Sequence, residues 1–375
     1  MPPAQAAACR VPDLRDLQRP SRHQRLTGYP PVRVAVDLLG GDHSPDVVVD
    51  GVLSAVADDP ALQPILVGPP DAAQQLLAAR GAVDRVQVVA ASQVIAMDED
   101  PVRGVRAKRD ATVRVAARLV HDGKADALVS VGSTGATMAA ALFTLGRLPG
   151  VTRPALAVVI DASAHPVVLL DVGATVEGSP DLLAQFALAG AAFARVRLGL
   201  DRPRLGLLSV GSEDRKGDAA RREAYDAIAG VLDGIPATFV GNVEGHEVPL
   251  GGRADVVVTD GLTGNVLLKG LEGMIARIGA GLADAAPGDE TVRGAFAQAT
   301  APMHPDHVGG AILLGVNGVV LVGHGASSPP AVAACIAAAA EAARADVVAH
   351  VAATLGDFVE RRRAASGLPA AAERR

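Results

Sequence analysis

The 375-residue sequence predicts an α/β fold, three α/β/α layers around a mixed, mostly parallel sheet. Three observations predict it. Short aliphatic runs such as Val32–Val36 and Val256–Val258 alternate with stretches whose apolar residues recur at spacings of three and four, the β-α-β-α rhythm of a parallel sheet with helices on both faces. Two adjacent apolar runs, Leu156 to Ile160 and Val167 to Asp171, flank Ala162-Ser163-Ala164-His165-Pro166 and read as a hairpin, which adds an antiparallel element. Ala, Val, Leu and Gly dominate, aromatics are 2% of residues and Trp is absent, as suits a core of small aliphatics.

The elements follow in order. Residues 1–30 are rich in Pro, Arg, Gln and Ala without periodicity and read as a disordered N-terminal extension. An α/β domain is expected over 31–345, with a C-terminal helix and charged tail over 346–375. The first strand runs into Asp37-Leu38-Leu39-Gly40-Gly41-Asp42-His43-Ser44-Pro45, where the glycine pair forces a turn and Ser44 with Pro45 opens a helix to about Ala57. A strand at Pro64–Val67, a helix at Asp71–Arg80 and a strand at Arg85–Val89 come next. The block from Asp98 to Val113 holds the densest basic cluster, Arg103, Arg106, Lys108 and Arg109. It reads first as a solvated helical face, and more sharply as a dock for phosphate or an acidic protein.

Strand Ala127–Val131 meets Gly132-Ser133-Thr134-Gly135 before a helix, a phosphate-cradle geometry that is neither a Walker loop nor a dinucleotide fingerprint. Gly173-Ala174-Thr175 opens a further loop, and Pro180 starts a helix through Ala194. Strand Arg204–Leu208 ends in a polar loop carrying Lys216, followed by a helix from Ala219. Strand Ala237–Val240 precedes ADVVVTDGLTGNVLLKG, Ala254–Gly270, which reads as strand, tight polar loop, helix. There Asp260-Gly261 stops the strand, and Thr263, Gly264 and Asn265 are expected on the first helical turn, whose unpaired N–H groups favour an anion. Gly264 is expected to let a ligand approach the backbone. Taken alone, the stretch reads first as an ordinary βα turn with polar caps. The chain from about 286 to His307 reads as irregular, and a strand at Val319–Val322 ends at Gly323-His324-Gly325-Ala326-Ser327 before an alanine-rich helix.

Six polar loops therefore follow strand carboxyl ends: Asp37–His43, Gly132–Gly135, Gly173–Thr175, Ser209–Lys216, Asp260–Asn265 and His324–Ser327. They are expected to converge on one sheet edge, where open α/β sheets bind ligands. Their glycine N–H groups, hydroxyls, lysine and asparagine suit an oxyanion and a phosphate better than a hydride acceptor. A net charge of −6 and a pI near 5.8 give no global basic field for nucleic acid. Cys9 and Cys335 make neither a disulfide framework nor a zinc site. No HExxH, CxxC, EF-hand or GxSxG pattern occurs, so neither metal nor cofactor is expected. Without a secretory h-region or a run of about 18 apolar residues, the chain reads as cytosolic.

The blocks LLGGDHSP, EDPVRGVRAKRDAT, LVSVGSTGATMAA, LLDVGATVE, GLLSVGSEDRKG, FVGNVEG, ADVVVTDGLTGNVLLK and GGAILLGVNGVVLVGHG resemble, in order from about Val32 to about Ala343, the phosphate acyltransferases of the PlsX type. The resemblance implies acyl transfer from acyl-acyl-carrier protein to inorganic phosphate, giving acyl phosphate for phosphatidic acid synthesis. It also implies an isocitrate dehydrogenase/phosphotransacetylase-like fold, a homodimer, and a glycerol-3-phosphate acyltransferase as a partner at the inner face of the membrane. It nominates Lys216 and Asn265 as catalytic residues. Asp37, Gly41, Asp42, His43, Gly132, Ser133, Thr134, Gly135, Asp260, Gly264 and His324 are the expected substrate-binding residues, and Arg103, Arg106, Lys108 and Arg109 the expected carrier dock. Ser133, Thr175, Ser209 and Ser212 depart from the family's usual Asn, Asn, Asn and Glu. The segment after Lys269 is shorter and more polar than the family's hydrophobic element, although Ile275, Ile278 and Leu282 still form an apolar stripe. A phosphate acetyl- or butyryltransferase acting on coenzyme A thioesters, and a catalytically silent acyl-binding protein, remain the alternatives, with a decarboxylating dehydrogenase on the related fold behind them.

Overall fold

The computed structural model describes residues 30–365 apart from 233. The expected N-terminal extension and the last ten residues of the tail therefore lie outside the described residues. Strands β1 (Val32–Asp37), β2 (Leu62–Gly68), β3 (Gln87–Ala90) and β4 (Ala127–Ser130) alternate with helices α1 (Asp46–Asp58), α2 (Pro70–Ala79), α3 (Pro101–Ala107) and α4 (Thr112–His121). Next come α5 (Thr134–Thr144), β5 (Ala155–Ile160), β6 (Val167–Leu170), α6 (Pro180–Leu198), β7 (Arg204–Ser209), α7 (Ala219–Val231), β8 (Thr238–Glu244) and β9 (Val256–Val258). The chain continues with α8 (Gly261–Ala285), α9 (Glu290–Thr300), α10 (Pro305–Val308), β10 (Ala311–Leu314), β11 (Val319–Val322), α11 (Pro329–Arg344) and α12 (Val347–Ala365). Among the described residues no helix is long and apolar enough to cross a membrane.

Among the described residues one sheet of eleven strands, ordered β3-β2-β1-β4-β11-β10-β5-β6-β9-β7-β8, separates two apolar cores. Side chains alternate along a strand, so Val256 and Val258 enter one core and Val257 the other, all three buried. That two-sided burial explains a run of β-branched residues with no polar interruption, each contributing roughly 1.5–3 kcal/mol. α6 is apolar on nearly every side because it is enclosed: every residue from Leu182 to Ala194 is buried between the sheet and helices α7 and α12. The one polar side chain among them, Gln185, accepts from the Thr152 N–H and donates to the Arg153 carbonyl.

The strands do not all run one way. β11 lies parallel to β4, but β10 is antiparallel to both β11 and β5, and β6 is antiparallel to β5. β9, β7 and β8 then follow β6 in parallel. Three reversals separate β11 from β6, the first two cancelling at β5, so β6, β9, β7 and β8 point opposite to β1, β4 and β11. The six polar loops therefore do not share one edge. Those after β1, β4 and β11 leave one end of the strands, and those after β6, β7 and β9 leave the other.

The hairpin of β5 and β6 forms as expected, Ile160 pairing with Val167. The stretch read as irregular is mostly helical instead, with α9 and α10 joined by a short 3₁₀ turn. Its apolar periodicity is weak because α9 buries little. Phe296 is its anchor, lying where a Cβ on Gly279 of α8 would come within 2.8 Å of the ring.

Candidate active site

A cavity of about 730 Å³ opens on the face of the sheet where strand direction reverses, within the roughly 300–1,000 Å³ of ligand sites. Leu156 and Val158 of β5, two apart and so on one face, line it together with Ala311 and Val322 of the neighbouring strands. One wall is the loop Val172–Val176 with Gly261, Leu262, Asn265, Leu268, Lys269 and Glu272 of α8. The rest of the lining includes Met303, His304, Asp306, Val308, His324, Ser327 and Ser328, with Thr134 from the start of α5. Loops from both ends of the strands thus meet across the sheet face rather than along an edge.

Local chemistry fixes the first wall. The Asp171 carboxylate, fully buried, accepts five hydrogen bonds: from the N–H groups of Leu156, Gly173 and Ala174 at one oxygen, and from the Thr175 N–H and hydroxyl at the other. Burial lifts this carboxyl above its ordinary value, against the pull of those donors. The Thr175 hydroxyl oxygen in turn accepts from Gly261 N–H at 3.2 Å, joining the loop to the start of α8. Asp260 caps α8, accepting from the Thr263 N–H and hydroxyl at 2.8 Å each and from Arg221 at 2.6 Å. Burial alone would raise Asp260, but Thr263 and the Arg221 guanidinium outweigh it and hold the carboxyl below its ordinary value.

These bonds correct the expectation for the helix start. α8 begins at Gly261, so Asn265 opens its second turn. The N–H groups of Gly261, Thr263 and Gly264 are taken by Thr175, the Asp260 side chain and the Asp260 carbonyl. They do not form an anion cradle. Gly264 serves packing rather than ligand approach: a Cβ there would stand 1.9 Å from the Asp171 carbonyl oxygen.

The remaining sequence candidates divide. Thr134, Asn265 and His324 line the large cavity. His324 Nδ1 accepts from the Ala326 N–H, so in the neutral ring the proton sits on Nε2. Asp37, Gly41, Gly132 and Ser133 line a smaller cavity of about 180 Å³. Asp37 is engaged there by the Ser130 hydroxyl at 2.8 Å and the Leu39 N–H, and burial raises its carboxyl. Asp42, His43, Gly135 and Gly264 line neither. Asp42 N–H binds the Gly325 carbonyl and so ties two of the loops together. Lys216 also lies outside both cavities, half-exposed with its ammonium 3.9 Å from Glu213. Of the substituted positions, Thr175 holds the loop and Ser133 caps α5, while the buried Ser209 hydroxyl has no hydrogen-bond partner among the described residues.

Lys269, His304 and Asp306 were not singled out by the sequence, yet they line the cavity. The signal for Lys269 was its place four residues after Asn265, hence on the same helix face. Buried Cys335, its thiol pushed up to about 12, takes no part.

A family model described as "Fatty acid synthesis protein" matches residues 32–350. A phosphate acyltransferase of Heliobacterium modesticaldum is 43% identical over 329 residues, covering 85% of this chain and 96% of that protein. One from Nostoc sp. is 41% identical over 328 residues, covering 83% and 92%. Solved structures share the fold at low identity. Phosphotransacetylases from Streptococcus pyogenes and Staphylococcus aureus superpose with TM-scores of 0.56 and 0.54, each 19% identical, covering 88% and 84% of this chain and 94% of each of theirs. The family match and these long, closely similar relatives establish that the chain belongs to the phosphate acyltransferase family and is an acyltransferase.

Proposed function

We propose that the protein transfers a long-chain acyl group from acyl-acyl-carrier protein to inorganic phosphate, releasing acyl phosphate for phosphatidic acid synthesis. The observation that carries this reading is one cavity combining an aliphatic lining, Leu156, Val158, Val172, Leu268, Met303, Val308 and Val322, with the amide of Asn265 on its wall. A phosphate oxygen attacks the thioester carbonyl carbon. Asn265 donates to the tetrahedral oxyanion, and collapse expels the carrier thiolate. Phosphate is already a nucleophile, so positioning suffices, and a thiol of pKa about 8.5 leaves without an acid. Lys216, nominated by its motif, acts from outside the lining by drawing the anion toward it. Asn265→Ala is expected to lower phosphate-dependent release of free carrier by about 10²–10³-fold. Lys216→Ala is expected to lower kcat/KM most at low salt, where steering is unscreened. Unchanged release in Asn265→Ala contradicts the assignment.

The carrier dock is narrower than its four basic residues. Lys108 is held by Glu99 at 2.5 Å and by the Val94 carbonyl. Arg103, Arg106 and Arg109 are exposed, and Arg106 lies 5.0 Å over the ring of half-exposed Phe143. Pro101 of α3 packs on Gly135 beside Thr134, which brings this face near the cavity. Changing all three arginines to Glu is expected to raise KM for the acidic carrier by at least about tenfold, with the salt dependence of binding much reduced. Unchanged affinity would sink the dock.

Exposed Val266, Met274 and Ile278 along α8 support a homodimer packing there. The reading places the reaction in the cytoplasm, supplying a glycerol-3-phosphate acyltransferase at the membrane. Transfer from coenzyme A thioesters of short acids is the second reading, since the structural neighbours are phosphotransacetylases. Matched assays with acyl-carrier protein and coenzyme A donors separate the two.

A further inference from the structure

We propose that Lys269 is the cation that holds inorganic phosphate in the large cavity, a role that rests on the phosphate-acyltransfer reading above. A phosphate dianion among so many aliphatic side chains needs fixed positive charge or a ring of free N–H donors. The backbone donors of the glycine-rich loops are largely engaged already. Gly173, Ala174 and Thr175 donate to Asp171, Gly261 to Thr175, Thr263 and Gly264 to Asp260, and Ala326 to His324. Among the described residues lining this cavity there is no arginine, and Lys269 is the one lysine.

Its placement suits the reaction. Lys269 stands four residues after Asn265, so the ammonium and the amide follow one another along a single helix face, with Cβ atoms about 5–6 Å apart. A phosphate held by Lys269 then lies beside the group that donates to the oxyanion it creates. Glu272, one turn further on and also lining the cavity, receives the Lys269 ammonium at 2.7 Å. An ammonium has three donors, so Glu272 orients it and leaves donors for phosphate. Its negative charge also opposes the incoming anion. Lys269 and Glu272 are opposed in effect: one attracts phosphate, the other tempers that attraction.

Direct titration of the full-length protein with inorganic phosphate, followed by ³¹P NMR without an acyl donor, tests this, together with steady-state KM for phosphate in the presence of donor. Lys269→Gln is expected to weaken phosphate binding by about tenfold or more, raising KM for phosphate more than it lowers kcat at saturating phosphate. Lys269→Arg restores most of the affinity, and Glu272→Gln tightens it. Lys124→Gln, which removes an exposed lysine after α4, controls for net charge and leaves phosphate affinity as in the wild type. Wild-type affinity in Lys269→Gln overturns the proposal, as does loss of affinity in Lys216→Gln alone, or no phosphate binding by the wild-type protein with or without donor. Lys269-dependent phosphate binding without any acyl phosphate formed leaves the anion site standing and removes the acyl-transfer reading instead.

Discussion

Asp171→Ala is expected to unfold at markedly lower denaturant concentration, with roughly 3–5 kcal/mol of stability lost, and to abolish measurable acyl transfer. The carboxylate is fully buried and satisfies five donors from two segments, so its removal leaves several N–H groups without a partner away from water. The loop those donors belong to forms a cavity wall through Val172, Gly173, Thr175 and Val176. The same bonds hold Thr175, which holds Gly261 at the start of α8. Loss of the carboxylate therefore displaces Asn265 as well, and a shift near 1 Å costs about 10²-fold in rate. Asp171→Asn separates shape from acceptor count. It keeps the volume but turns one acceptor into an NH₂ facing either the Thr175 N–H or the three N–H groups on the other side. Equilibrium unfolding and turnover of Asp171→Asn both fall under this account of the loop. Wild-type values for both contradict it.

Gly264→Ala is the second large effect, and its sign runs against helix propensity. In an exposed helix interior, Gly to Ala gains about 1 kcal/mol. At Gly264 the new Cβ stands 1.9 Å from the Asp171 carbonyl oxygen and 3.0 Å from its carbonyl carbon, backbone that cannot rotate away. α8 must move off the end of β6, at a cost of about 1–3 kcal/mol or more and with Asn265 carried along. Gly270→Ala in the same helix is the matched control, since nothing lies within 4 Å of its added Cβ. Thermal or urea unfolding is expected to show Gly270→Ala at or above wild type and Gly264→Ala well below it. Equal stability of the two variants contradicts the packing role of Gly264.

The two cases show where sequence patterns carry spatial information. Val256–Val258 and the run Leu182–Ala194 announce their burial because an enclosed environment admits a polar residue only where it is satisfied, as Gln185 is by the Thr152 N–H and the Arg153 carbonyl. Asn265, which lines the large cavity, was legible as a candidate because a strand, a turn pair and a helix start constrain one another within a few positions. The direction of β6, β7 and β9 was not legible. The hairpin reverses β6 against β5, but β9 and β7 join β6 in parallel through long-range pairing, and the sequence Val256–Val258 is equally apolar whichever way it runs. The purpose of Gly264 was hidden for a related reason: a glycine facing a ligand and a glycine facing Asp171 look alike until the neighbour is known. Lys269 with Glu272 has the spacing of an ordinary surface ion pair, and only the cavity beside it distinguishes the two.

The most direct measurement follows the product. The protein is incubated with palmitoyl-acyl-carrier protein and ³²P-labelled phosphate, and acyl phosphate is separated from free phosphate by organic extraction and counted. The expected result is labelled acyl phosphate in step with free carrier, dependent on phosphate and lost in Asn265→Ala. Carrier released at the same rate without phosphate, with only free fatty acid formed, contradicts phosphate as the acyl acceptor in this cavity.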